Sequence, residues 1–266
     1  MIELLRQQFA HDAPTEEKLN RTREFLQIAV LKIMYDKSYL DNLAFVGGTA
    51  LRILFGLRRF SEDLDFSLVD KKEYNFYEIN KTIERELKLY GLNVESKAKV
   101  DKTVQSTFLK FERLLKDLGI SNLAGQKLSI KIEVDSNPPQ GWRLEKTLVN
   151  KVYLFNLPHF DLPSLYATKL HACFFREFTK GRDFYDLVWY IGKKIKPNYL
   201  LLNNAIMQTE KRDLALNEEN YVDFILEKLK GVDFKAVKKD VERFLEDKSE
   251  LKLLDFDDMK NNLDKC

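Results

Sequence analysis

Asp63 and Asp65 stand in the run Asp63-Leu-Asp-Phe-Ser-Leu68, which alternates polar and apolar side chains. In a strand, that alternation sets Asp63, Asp65 and Ser67 on one face and Leu64, Phe66 and Leu68 on the other. Two carboxylates separated by two strand rises, roughly 6.6 Å between Cα atoms, can converge on one divalent cation such as Mg²⁺ or Mn²⁺. Upstream, Gly47-Gly48 offers a backbone that a phosphate can approach closely. A helix start behind it supplies unpaired N–H donors and a positive dipole end. A phosphate cradle with a carboxylate pair is the equipment of metal-assisted phosphoryl or nucleotidyl transfer. A glycine pair or an Asp-x-Asp alone is commonplace; their combination in the order strand, glycines, helix, turn, strand points to function.

The elements that must position these groups are readable nearby. Leu43 to Val46 is a short apolar run that predicts a buried strand, broken by Gly47-Gly48. Thr49 is expected to cap a short helix carrying Leu51, Leu54 and Phe55, with Gly56 as its stop. A basic turn at Arg58-Arg59 and Ser61 leads into the carboxylate strand.

Gly48-Thr49 followed by Asp63-Leu-Asp65 resembles the signature of the polymerase-β nucleotidyltransferase superfamily, a Gly-Ser pair followed by Asp-x-Asp. The longer string, GGTAL and then G-x-R-R-F-S-E-D-L-D-F, resembles more narrowly the AbiEii/AbiGii toxin family (DUF1814). The resemblance implies an α+β fold: a polymerase-β-like mixed sheet flanked by helices, followed by a C-terminal helical bundle. It also implies metal binding by Asp63 and Asp65, and nucleotide binding by Gly47, Gly48, Thr49, Arg59 and Ser61.

Leu128-Ser-Ile-Lys-Ile-Glu-Val-Asp135 is the clearest strand, with Ile130, Ile132 and Val134 facing one way and Lys131, Glu133 and Asp135 the other. Alone it is an ordinary half-exposed strand. In the resembled family such a strand supplies the third metal carboxylate; Glu133 suits that role, with Asp135 as the alternate, and Lys131 is a further site candidate. Later, Tyr-Ala-Thr-Lys-Leu-x-Ala and Lys-x-Arg-Asp-x-Tyr-Asp-Leu resemble the family's downstream motifs. They carry over Lys169, as catalytic and nucleotide-binding, and Asp183, with Asp186 as an additional candidate. The bland alternatives are a snorkelling Lys169 and an Arg182–Asp186 bridge at i, i+4. His11, His159 and His171 are read as non-catalytic.

The 266 residues suffice for one large domain or two modest ones, and are divided here as 1–157 (nucleotidyltransferase domain) and 158–266 (helical bundle). With 44 basic against 42 acidic residues the net charge is +2, so any polyanion site must be a local patch. No apolar run approaches a membrane span and the N-terminus is not a signal peptide, so the expected location is the cytoplasm. Cys173 and Cys266 are too few and too scattered for a disulfide frame or a zinc site.

Periodicity further predicts an irregular lead-in over 1–14, helices over 15–35 and 74–90, and paired strands over 92–100 and 103–111. A last strand is expected over 151–155, and beyond Pro158 only helices: 162–178, one starting at Gly181, then about 198–213, 217–230 and 233–247. The final dozen residues are expected to fray. The function expected is transfer of NMP from an NTP to an acceptor hydroxyl. The resemblance makes that acceptor RNA, in particular tRNA, and the chain a toxin with a separately encoded antitoxin. Alternatives are a protein or small-molecule acceptor, or a non-catalytic interaction module on the same fold.

Overall fold

The computed structural model describes residues 1–266 apart from 124, 179, 265 and 266. The chain divides into two compact units, the first comprising 1–54, 60–138 and 146–159, the second 55–59, 139–145 and 160–266. The second thus takes in two stretches that sequence reading assigns to the first domain.

The first unit opens with α1 (Ile2–Arg6), α2 (Thr15–Asp36), β1 (Leu43–Val46) and α3 (Gly47–Phe55). It continues through β2 (Asp63–Leu68), α4 (Phe76–Leu89), β3 (Val94–Glu95), β4 (Val104–Phe111) and α5 (Leu114–Asp117). β5 (Leu128–Asp135), β6 (Leu144–Asn150) and β7 (Leu154–Phe160) complete a seven-stranded mixed sheet of order β3-β4-β5-β2-β1-β7-β6 among the described residues. β2 lies between β1, antiparallel, and β5, parallel. Its apolar face explains this central place: Leu64 and Phe66 are buried with Phe45 of β1 and Ile132 and Val134 of β5. The Phe45 and Phe66 rings lie 5.3 Å apart. α2 buries Phe25, Leu26, Ala29, Ile33 and Met34 at helical spacing. α4 is capped by Asn75, whose side chain accepts from the Glu78 N–H at 3.2 Å, and Gly91 follows it at φ +79°.

The second unit holds α6 (Leu162–Phe175), α7 (Gly181–Gly192), α8 (Tyr199–Glu210), α9 (Tyr221–Leu229), α10 (Phe234–Val241) and α11 (Phe256–Leu263). α6 packs on α7 and α8, and α7 on α10 and α11. Asp161 caps α6 by accepting from the Ser164 N–H at 2.9 Å, with Pro163 in the first turn.

Five expectations need correction. The lead-in contains α1, because Leu5 is fully buried. The strand expected over 92–100 is reduced to β3 and an isolated Lys99–Ser106 bridge. Residues 151–153 are the turn between β6 and β7, and β7 runs parallel to β1 with Phe45 beside His159. Thr49 does not cap its helix: α3 opens on Gly47, and the buried Thr49 hydroxyl donates to the Asp63 carbonyl. The C-terminal stretch is helical because α11 buries Met259 and Leu263 and Asp255 caps it through the Asp257 N–H. Cys266 lies outside the described residues; Cys173 is a buried free thiol.

Candidate active site

The parallel pairing of β2 with β5 sets Asp63 beside Lys131, Asp65 beside Glu133 and Ser67 beside Asp135. Residues opposite one another in a ladder share a face, with strands about 4.8 Å apart. Asp63, Asp65 and Glu133 therefore line one half-exposed face while Ile130, Ile132 and Val134 seal the other. Glu133 is the residue directly across from Asp65; Asp135 sits one rung further, and burial raises its carboxyl above the ordinary range despite the Asn137 N–H it accepts. The Glu133 carboxylate is met by the Lys131 ammonium at 2.7 Å.

Gly47 explains its own residue type. It has φ +77°, and a Cβ there would fall 2.3 Å from Asp65 Oδ2 and 3.1 Å from Asp65 Cβ. Only glycine lets the end of β1 pass this close to the carboxylate. Thr49 then ties α3 to β2 through Asp63, so the glycine turn and the carboxylate strand are one construction. The Ser61 carbonyl accepts from Gln27 Nε2 at 3.1 Å, which anchors the approach to β2 on α2.

In the second unit a buried ion cluster gathers the other sequence candidates. Lys169 Nζ lies 2.7 Å from Asp183 Oδ1 and 2.9 Å from Asp186 Oδ2. Arg59 holds Asp186 with two nitrogens, at 2.6 and 2.7 Å, with both side chains almost wholly buried. Lys169 is accordingly anchored to two carboxylates; it does not snorkel to water. The Asp186 carboxylate meets Arg59 and Lys169, whereas the Arg182 guanidinium lies 4.4 Å over the Phe244 ring. Burial opposes charge on Asp183, yet Lys169 and Arg176 outweigh it and hold the carboxyl at about 2. Burial likewise disfavours the Lys169 ammonium, and Asp183 and Asp186 reverse that effect and raise its pKa.

Arg176, 2.8 Å from Asp183 Oδ2, was absent from the sequence candidates. Its spacing of seven from Lys169 was the available signal, although it lies just past the end of α6. Cys173 directs its Sγ to the Asp183 carbonyl at 3.4 Å, and burial pushes its thiol well up. His159 contacts Thr147 and His171 contacts Thr209, each through Nε2 at 2.9 Å. Asp63, Asp65, Glu133, Lys131 and the glycine turn belong to the first unit, and Arg59, Lys169, Asp183 and Asp186 to the second.

For a divalent cation, the donor set has the right chemistry: carboxylate oxygens on one sheet face, beside a turn kept free of side chain at Gly47. Among the described residues no three His, Cys, Asp or Glu side chains close into a metal-binding cluster, in keeping with the contact Glu133 makes to Lys131.

Comparison with known families gives a match to "Nucleotidyl transferase AbiEii toxin, Type IV TA system" over residues 29–262. The chain belongs to the AbiEii family. It is therefore a nucleotidyl transferase, of a family assigned to type IV toxin–antitoxin systems. Two Helicobacter pylori crystal structures resemble this AbiEii chain. JHP933 is 18% identical, covering 92% of this chain and 94% of its own, at a TM-score of 0.48. A candidate nucleotidyltransferase is 19% identical, covering 97% and 98%, also at 0.48. No curated protein matches the chain. Among the described residues of this AbiEii protein, no helix is long and apolar enough to cross a membrane.

Proposed function

We propose that this AbiEii chain moves a nucleoside monophosphate from an NTP to an acceptor hydroxyl on RNA, in particular tRNA. The acceptor oxygen attacks the α-phosphorus, the bond from that phosphorus to the β-phosphate oxygen breaks, and pyrophosphate leaves. The acceptor proton passes to a carboxylate of the Asp63, Asp65 and Glu133 set. The same three side chains would hold a divalent cation, Mg²⁺ or Mn²⁺, which when bound supplies Lewis-acid stabilisation of phosphate charge. Gly47, Gly48 and the start of α3 bind and orient the phosphates, with Thr49 and Ser61 shaping that turn. Lys169 and Asp183 act as further catalytic residues, with Asp183 and Asp186 holding the Lys169 ammonium and Arg59 fixing Asp186.

The observation that carries this reading is the register that pairs Asp65 with Glu133 on the face where Gly47 leaves room. Residues 1–157 serve as a polymerase-β-like nucleotidyltransferase domain and 158–266 as a helical bundle. A separately encoded antitoxin is the partner, and the cytoplasm the place of action.

The test is incubation with each labelled NTP, with and without total RNA. Label on RNA that disappears in Asp65→Asn supports the proposal; label on protein alone, or on a small molecule, removes the RNA acceptor. Labelling of nothing, with no calorimetric binding of any NTP, leaves a non-catalytic module.

A further inference from the structure

α7 presents two distinct faces. Asp183, Asp186 and Tyr190 recur at i, i+3 and i+7 and look toward the ion cluster and the Tyr166 ring stacked 4.4 Å from Tyr190. Tyr185, Val188, Trp189 and Gly192 recur at i, i+3, i+4 and i+7, on the opposite side of the helix. This second face walls a cavity of about 620 Å³ that is open to solvent and bordered by Phe55, Met259 and Leu253 from other segments of the same unit. Its size is that of a small-molecule site, and none of the candidate catalytic residues lines it.

The lining specifies what can bind. Tyr185, Trp189 and Phe55 present aromatic surface, which favours a flat π-system over a branched aliphatic chain. The polar groups are few and of both signs: Arg58 and Lys193 donate, Glu250 and Asp258 accept, and the Asn262 amide, whose Nδ2 donates to the Asp258 carbonyl at 2.8 Å, adds a neutral polar group. Arg58 meets Glu250 at 2.9 Å and the Tyr185 hydroxyl donates to the same carboxylate, so this corner is preorganised and internally neutralised. Lys193 lies 5.9 Å from the Trp189 ring centroid. The opposite charges balance, so the cavity neither demands an anion nor favours a cation, and its donors and acceptors would be wasted on a pure hydrocarbon.

We infer that this cavity binds a planar heteroaromatic molecule without net charge, the chemistry of a nucleobase or nucleoside. The ring lies against Trp189 and Tyr185, and its edge is read by Asn262 and Asp258. The inference does not depend on which acceptor the enzyme uses.

Trp142 and Trp189 are the two tryptophans of the chain, and Trp142 stacks on Phe160 at 5.6 Å, a place that phenylalanine can fill. Trp142→Phe therefore leaves Trp189 as the sole reporter. Titration with adenosine, guanosine, cytidine and uridine is expected to give a saturable change in Trp189 emission with at least one of them. The matching 5′-monophosphate should bind within about tenfold of its nucleoside. A Cβ at Gly192 meets nothing within 4 Å, so Gly192→Phe fills the cavity without clash at the backbone. It should weaken nucleoside binding by at least about tenfold at unchanged melting temperature. Should that variant melt early, exposed Asn262→Ala, expected to weaken binding severalfold, makes the same decision. Silence with all four nucleosides, undiminished affinity in the variants, a monophosphate binding far more tightly, or phenylalanine binding as well as the best nucleoside would each overturn the assignment.

Discussion

A side chain at Gly47 would collide with the carboxylate of Asp65: the built Cβ stands 2.3 Å from Oδ2, at a backbone φ of +77°. Strand end and carboxylate occupy one space, which they share because the glycine has no side chain. The position is thus constrained twice, by conformation and by volume.

Gly47→Ala should therefore cost about 1–3 kcal/mol in urea unfolding, from the left-handed φ and the displaced carboxylate. Nucleotidyl transfer should fall much further than stability does, because Asp65 has to move. Comparing the unfolding midpoint with the rate of label transfer separates the two effects.

Asp65→Asn and Glu133→Gln keep size and remove charge on a half-exposed face, so each should leave the melting temperature within a few degrees of wild type. Each should reduce transfer by at least about 100-fold. Retained activity in Glu133→Gln with loss in Asp135→Asn would move the third carboxylate one rung along β5.

Thr49→Val removes the hydroxyl that donates to the Asp63 carbonyl, and should destabilise by about 1 kcal/mol. Thr49→Ser keeps the donor and should lose less. A larger loss in Thr49→Ser than in Thr49→Val, measured by denaturant melts, would show that the methyl group, and not the hydrogen bond, anchors α3.

Asp183 titrates at about 2 in the fold against an ordinary 3.8, so its pairing stabilises above the unfolded value and is lost as pH falls through the folded one. The contribution is on the order of 2 kcal/mol, disappearing between about pH 4 and about pH 2. Asp183→Asn should flatten the pH dependence of unfolding across that window. An unchanged slope would place the acid sensitivity elsewhere.

Arg59→Ala leaves a fully buried Asp186 without its bidentate partner and should cost about 3–5 kcal/mol. Arg59→Lys keeps the charge but not the fork, and should recover only part of that loss. Thermal melts of the two variants give the comparison.

Much of this protein follows from the chain alone because its signals are local. The alternation in Asp63–Leu68 and Leu128–Asp135 and the helical stripe of Thr15–Asp36 define elements whose bounds agree with the fold to within a residue. The glycine turn and the paired aspartates are legible for the same reason: their chemistry is written within twenty consecutive residues. What tertiary structure decided is pairing. The choice of Glu133 over Asp135 as the neighbour of Asp65 depends on strand register, which the sequence of one strand does not encode. The Arg59–Asp186 fork and the parallel docking of β7 on β1 both join residues distant along the chain. The C-terminal helix became visible in the same way: Met259 and Leu263 are two apolar residues in a charged stretch, and only the neighbours that bury them make that stretch a helix.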